Sequence, residues 1–75
     1  MTVKFYGLIA DHIHSSQLDI PFQPDTETLL QYLEKQYPGL LIYSFRLAVN
    51  NEIIELPSEL VENDSIALIP PFPGG

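Results

Sequence analysis

Hydrophobic and polar positions alternate along four short segments of the chain, which predicts a sheet of short strands. The first segment covers residues 2–9. The second covers residues 17–22, where Pro21 indicates a sheet edge or a strand end. Residues 45–49 and 65–69 show the same alternation. The first two predicted strands most simply form a hairpin, so we expect residues 11–16 between them to be a polar loop.

The stretch after Pro24 repeats its apolar residues at helical spacing instead. Asp25 or Thr26 suits the N-cap position, and Pro38-Gly39 is a stop signal, so we expect a helix of about three turns between them. The apolar positions that define its buried stripe are Leu29, Leu30, Leu33 and Tyr37. Further along, Asn50-Asn51 favours a tight turn into a short strand around residues 53–54.

The second face of the predicted sheet carries unusually many apolar residues. A single helix covers one face only, and the uncovered face of an antiparallel sheet is normally polar. Contiguous exposed apolar residues usually mark an interface. The pattern therefore predicts a partner-docking patch that consists of Tyr6, Leu8, Ala48, Ala67 and Ile69.

Length and charge narrow the class of protein. The 75 residues are 45% hydrophobic, which is enough for one small domain. Ten acidic residues against three basic ones give a net charge of −7, which argues against a nucleic-acid partner and favours a protein with a basic surface. The N-terminus has no signal-peptide pattern and no apolar run approaches about 18 residues, so we expect a cytoplasmic protein without a membrane partner.

The sequence offers no recognisable catalytic or metal centre of its own. It contains no cysteine, which excludes disulfides, a thiolate nucleophile and a persulfide carried on this chain. His12 and His14, with Asp11 nearby, are better read as solvated loop residues than as metal ligands. We expect a solvated acidic surface from the carboxylates of the C-terminal half, which are Glu52, Glu55, Glu59, Glu62 and Asp64.

The last seven residues are the most informative segment, and they are Ile69, Pro70, Pro71, Phe72, Pro73, Gly74 and Gly75. Proline favours an extended rod, and glycine has no side chain to obstruct a narrow channel. We therefore expect a domain over residues 1–69 and a tail over residues 70–75 that enters a partner's active site. Once adenylylated by ATP, the carboxylate of Gly75 could accept sulfur or be attacked by an amine.

At this point the chain resembles the ubiquitin-like sulfur carriers, most closely the branch formed by the small subunits of molybdopterin synthase. The resemblance rests on residues 3–7, 25–29 and 47–51, and above all on the closing run 63–75 with its Pro-Pro and Gly-Gly pairs. The chain departs from the family at Ala10-Asp11, where an Arg-Glu pair is common. It also departs at Asn63-Asp64, where Gly-Asp is usual, and at Phe72-Pro73, where a small apolar pair is usual.

The resemblance implies a β-grasp fold of class α+β, with a mixed four- to five-stranded sheet on one main helix and an extended, flexible tail. It implies a non-catalytic subunit that binds no cofactor itself. An E1-like adenylyltransferase would activate Gly75 with ATP and magnesium, and a persulfide donor would convert it to a thiocarboxylate. The tail would then insert into the large, catalytic synthase subunit, in a heterotetramer, and donate sulfur to a cyclic pyranopterin precursor of the molybdenum cofactor.

Two groups of alternatives share the activation step. The chain could be a sulfur carrier for thiamine synthesis or tRNA thiolation, although the thiamine carrier usually lacks the proline pair. It could also be a ubiquitin-like modifier that is attached through Gly75 to lysines of other proteins. A plain binding module without an activated terminus is a third class, for which the two terminal glycines would be dispensable.

Overall fold

The computed structural model describes residues 1–71, so the predictions for Phe72, Pro73, Gly74 and Gly75 lie outside the described residues. The elements follow one another along the chain as β1 (Thr2–Phe5), α1 (Gly7–Ile13), β2 (Gln17–Asp19), α2 (Thr26–Gln36), a short 3-10 helix (Leu40–Ile42), β3 (Arg46–Val49), β4 (Glu52–Ile53) and β5 (Ser65–Ile69). Within residues 1–71, no helix is long and apolar enough to cross a membrane.

The five strands form one mixed sheet in the order β2-β1-β5-β3-β4. The central strand β5 runs parallel to β1 and antiparallel to β3, whereas β2 and β4 are antiparallel edge strands. This confirms the predicted α+β class with a mixed sheet on one main helix. It also confirms that the second predicted strand lies at an edge, although that strand ends at Asp19 instead of continuing to residue 22.

Helix α2 forms where its capping and apolar pattern predict it. Asp25 is the N-cap, and its Oδ1 accepts a hydrogen bond of 2.8 Å from the backbone N–H of Thr28. Leu29 and Leu33 point into the core and are fully buried. The helix ends at Gln36, and Gly39 (φ 94°) adopts the left-handed conformation that glycine tolerates best.

One face of the sheet, called the inner face below, packs with both helices around a single core. Alternate residues of three neighbouring strands are at most 1% exposed on this face, namely Val3, Phe5, Leu47, Ile66 and Leu68. They form one buried cluster with Leu29 and Leu33 of α2 and with Ile9 and Ile13 of α1. Burial of this many apolar side chains is the main source of stability in so short a chain.

The connection between β1 and β2 differs from the prediction. We predicted a strand over residues 2–9 and a polar loop over residues 11–16, but β1 ends at Phe5 and α1 occupies Gly7–Ile13. Gly7 has a φ of +59°, which breaks the extended run and turns the chain into the helix. Ile9 and Ile13 then fall four residues apart and are both buried, which is helical spacing.

The hairpin at Asn50-Asn51 forms as predicted and is tied to the central strand. Both asparagines have positive φ (52° and 71°), as a tight two-residue hairpin turn requires. The Asn50 carboxamide accepts a hydrogen bond of 2.9 Å from the backbone N–H of Ser65 and donates one of 2.9 Å to Asp64. The turn between β3 and β4 therefore also fixes the point at which β5 begins.

Candidate functional site: the tail root and the outer sheet face

The tail leaves the domain from the middle of the sheet. Leu68 pairs with both Phe5 and Leu47, and Ile69 pairs with Arg46 before β5 ends. Pro70 follows directly, and because it has no backbone N–H it cannot extend the ladder. We call Pro70 and Pro71 the tail root. It is held in place by a strand that has neighbours on both sides.

An apolar cleft of about 260 Å³ opens beside the tail root. It is lined by the start of α1, the connection before β3 and the tail root itself, through Tyr6, Leu8, Ile9, Tyr43, Ser44, Pro70 and Pro71. The side chains of Tyr6 and Leu8 are 48% and 70% exposed, respectively. We call this feature the tail-root cleft.

The other face of the sheet, called the outer face below, consists of Lys4, Arg46, Ala48, Ile53, Ala67 and Ile69. The register aligns Lys4, Ala67, Ala48 and Ile53 in one row across four strands, and aligns Ile69 with Arg46 in the next row towards the tail. Lys4 and Arg46 are exposed, and Ala67 and Ile69 are half-buried. The outer face therefore combines small and aliphatic residues with two cations.

The predicted docking patch is only partly one surface. Ala67 and Ile69 share the outer face as expected, but Ala48 on the same face is only 7% exposed, so the prediction that it is exposed is wrong. The placement of Leu8 on the sheet is also wrong, because it belongs to α1. Tyr6 occupies the N-cap position of that helix, without a capping hydrogen bond from its side chain, and lines the tail-root cleft with Leu8. The residues of the predicted docking patch are thus divided between the outer face and the tail-root cleft.

His12 does not lie in a solvated loop as predicted. It is part of α1, and its Nε2 lies 3.0 Å from the carbonyl oxygen of Pro38, which can only accept a hydrogen bond. Its Nδ1 lies 3.4 Å from the hydroxyl of Tyr43, and the two rings meet edge to face with centroids 5.3 Å apart. His12 thus supports Tyr43 from behind the tail-root cleft. His14, at the left-handed C-cap of α1, is exposed.

Glu34 supports the same region, which the sequence pattern did not reveal. Its carboxylate accepts hydrogen bonds from the backbone N–H groups of Gly39 (2.7 Å) and Leu41 (2.9 Å). These hydrogen bonds hold the pKa of the Glu34 carboxyl below its usual value, and the bond from the Leu41 N–H contributes more than the bond from the Gly39 N–H. The same two hydrogen bonds attach the start of the 3-10 helix, which leads to Tyr43, to helix α2.

The remaining titratable groups are distributed over the surface. Four of the five predicted surface carboxylates, Glu52, Glu55, Glu59 and Glu62, are exposed as expected. Asp64 is half-buried and accepts a hydrogen bond of 2.8 Å from the backbone N–H of Val61. Among residues 1–71, no three histidine or carboxylate side chains are grouped so that they could hold a metal ion.

These features define a class of protein. A five-stranded mixed sheet, with a parallel central pair and one main helix across its inner face, is the ubiquitin-like β-grasp architecture. The sequence profile of the ThiS family matches residues 3–75, which is nearly the whole chain. The chain therefore belongs to the ThiS family, and it is a ubiquitin-like sulfur carrier in the broad sense of that family.

Solved structures show the same fold at low sequence identity. Small archaeal modifier protein 1 from Haloferax volcanii is 19% identical with a TM-score of 0.80, covering 95% of both chains. A candidate molybdopterin converting factor subunit 1 from Pyrococcus furiosus is 16% identical with a TM-score of 0.78, also covering 95% of both. Subunit 1 in a Helicobacter pylori complex of molybdopterin-converting factor subunits 1 and 2 is 27% identical with a TM-score of 0.70, covering 99% of this chain and 96% of that one.

Proposed function

We propose that this chain is the sulfur-carrier subunit of a molybdopterin synthase. The observation that carries the proposal is the family match, which runs to Gly75 and so includes the Pro-Pro and Gly-Gly pairs. Support comes from the Helicobacter pylori relative, whose structure is a complex of converting-factor subunits 1 and 2. By analogy, the partner that receives the tail is a large catalytic subunit, in a heterotetramer, and this chain contributes no catalytic side chain.

The proposed chemistry takes place on the carboxylate of Gly75. An E1-like enzyme joins it to the α-phosphate of ATP with release of pyrophosphate, with magnesium bound to the nucleotide on that enzyme. The terminal sulfur of a persulfide then attacks the carbonyl carbon and displaces AMP, and a thiol cleaves the resulting acyl disulfide to leave a thiocarboxylate. Two such tails supply the two sulfur atoms of the dithiolene that is formed on the pyranopterin precursor.

The domain has two tasks in this scheme, namely to bind the partner and to deliver the tail. Docking affinity is assigned to Ala67 and Ile69 on the outer face, with Tyr6 and Leu8 contributing from the tail-root cleft. Residues 70–75 carry no ionisable side chain, so they add no ion pair that would hold the tail outside an apolar channel. Pro70 and Pro71 set the direction in which the tail leaves β5.

Intact-mass spectrometry tests the activation step. The protein is incubated with the E1-like enzyme, ATP, magnesium and a persulfide donor, and we expect the mass increase of one oxygen-to-sulfur exchange. The variant Gly75→Ala keeps the docking surface but adds a methyl group beside the reacting carbon. We expect nearly unchanged partner affinity and roughly a hundredfold slower sulfur transfer, because displacing reacting atoms by about 1 Å has that effect.

The same experiments separate the alternatives. No mass change with a competent activating enzyme would end the proposal. Adducts that join Gly75 to lysines of other proteins would instead show a covalent modifier. A thiamine or tRNA-thiolation carrier would gain sulfur equally well, but it would bind and serve the enzyme of its own pathway and leave the pyranopterin precursor unchanged.

A further inference from the structure

Basic side chains are scarce in this protein, and two of the three lie on the outer face. They are Lys4 on β1 and Arg46 on β3, whereas Lys35 lies on α2. Both outer-face cations are exposed. The strand spacing places their Cα atoms roughly 12 Å apart. This concentration of positive charge is unexpected in a molecule whose net charge is −7.

The two cations have different surroundings. Lys4 shares a polar hollow with Asp19 and Asp64, at the end of the sheet away from the tail. Arg46 lies at the other end, paired in register with Ile69, which immediately precedes the tail root. Within residues 1–71, however, the one ion pair joins the N-terminus to Asp19, so neither Lys4 nor Arg46 is engaged.

We expect a protein that receives the tail to cover Arg46, because Arg46 pairs in register with Ile69 and the tail root follows Ile69 directly. Burying a guanidinium without an opposite charge is strongly unfavourable. A carboxylate satisfies it best, because the planar guanidinium matches the two carboxylate oxygens in a bidentate pair. Interfaces are enriched in arginine that makes such contacts beside apolar anchors.

We propose that Arg46 is a charged docking anchor that pairs with an aspartate or glutamate of the tail-receiving protein, beside the apolar contact made by Ile69. This inference rests on the proposed function. It also refines the expectation of a basic partner surface. Positive charge on the partner would steer the approach of the acidic domain as a whole, whereas a carboxylate at the mouth of the channel would meet Arg46 and set the register of docking.

The test compares Arg46→Glu with Lys35→Glu, which changes the net charge by the same amount on the exposed surface of α2. Affinity for the large synthase subunit is measured by calorimetric titration, and thermal unfolding confirms that both variants fold. We expect Arg46→Glu to weaken binding about thirtyfold or more and Lys35→Glu less than about threefold. Arg46→Lys should fall between them, because an ammonium group cannot make the bidentate pair.

The partner's residue is then found by charge reversal. Acidic side chains around the tail channel are changed to arginine one at a time, and one of them should restore binding of Arg46→Glu. If Arg46→Glu binds with wild-type affinity, or if Lys35→Glu loses as much affinity as Arg46→Glu does, the proposal that Arg46 is a docking anchor is overturned. Sulfur loading of wild-type protein, followed by mass spectrometry, reports on the proposed function separately. If the wild type neither gains sulfur nor binds the large subunit, the proposed function fails and the anchor fails with it.

Discussion

The two faces of the sheet are built from alternate residues of the same strands, yet they differ in almost every physical property. On the inner face, Phe5, Leu47 and Leu68 are buried among apolar neighbours from both helices. On the outer face, Arg46 and Ile69 lie one residue away from Leu47 and Leu68, whereas α1 and α2 bury their apolar residues against the inner face. A shift of one position along a strand therefore exchanges a buried core position for a position on the other face of the sheet, which the proposed function uses for binding.

This division separates two kinds of constraint on the sequence. Inner-face side chains must fill a fixed volume, because protein interiors are close-packed and respond to the loss of single methylene groups. Outer-face side chains are free to vary in charge and shape as long as the strand persists. We therefore expect inner-face substitutions to change stability, and outer-face substitutions to change affinity with little effect on stability.

The largest expected effect is on stability, from Leu68→Ala. Leu68 is fully buried in the central strand, so its truncation leaves a cavity that the two neighbouring strands cannot readily close. We expect a loss of about 2–5 kcal/mol in the free energy of unfolding. Urea denaturation measures it, and Ile69→Ala, the next residue on the opposite face, should lose clearly less. Equal losses of unfolding free energy in Leu68→Ala and Ile69→Ala would mean that the two faces contribute equally to stability.

The second largest expected effect is a loss of partner affinity in the variant Ile69→Asp. Placing a charge beside the tail root removes an apolar contact worth about 1–4 kcal/mol in typical interfaces, so affinity for the large subunit should fall at least tenfold. Ile42→Asp is a matched control, because Ile42 is 85% exposed on the 3-10 helix and gains the same charge. If Gly75→Ala weakens binding as severely as Ile69→Asp, the tail is the main anchor and the outer face is not.

The smallest effect concerns acid stability and comes from neither face of the sheet. The Thr28 backbone N–H, followed by the Thr28 hydroxyl, lowers the pKa of Asp25, and the Leu41 and Gly39 N–H groups lower that of Glu34. A lowered carboxyl pKa adds stability at neutral pH that is lost as the pH falls below about 4. Asp25 and Glu34 are half-buried residues at the surface of the domain, where solvent screens their charges, so the expected changes are small.

The variant Glu34→Gln isolates this contribution. Thermal unfolding is followed at pH 7 and at about pH 3, and the variant should lose less stability on acidification than the wild type does. Glu27→Gln removes a carboxylate from the first turn of the same helix and serves as the control. An identical acid response in wild type and Glu34→Gln would show that the two N–H contacts of Glu34 do not matter to stability.

Much of the fold could be predicted because its signals are local. The Asp25 cap, the spacing of Leu29 and Leu33, and the Asn50-Asn51 turn each lie within a few residues of the feature they specify. The sequence pattern does not predict helix α1, because the signals that specify this helix are not local. It has seven residues, no side-chain cap and no acidic residue in its first turn, and tertiary packing of Ile9 and Ile13 stabilises it.

The parts of the candidate site that depend on local sequence could likewise be predicted, and the parts that depend on long-range contacts could not. The tail was evident from its composition, and Ala67 and Ile69 follow from simple alternation along β5. Leu8 was misplaced because alternation ends at Gly7, where the backbone takes a positive φ. The contacts of His12 with Pro38 and Tyr43 span 26 and 31 residues of sequence, and no local pattern indicates contacts of that range.

The central position of β5 also has a mechanical consequence. In the proposed function, drawing a spent tail out of a tight channel would place tension on Pro70 and so directly on β5. Hydrogen bonds to β1 on one side and β3 on the other hold that strand along its length, so a pull along its axis loads them in shear and shares the force among them. An edge strand could be peeled away one bond at a time. The tail is thus attached to a strand that is paired on both sides, so that withdrawal of the tail would load the sheet without peeling a strand from its edge.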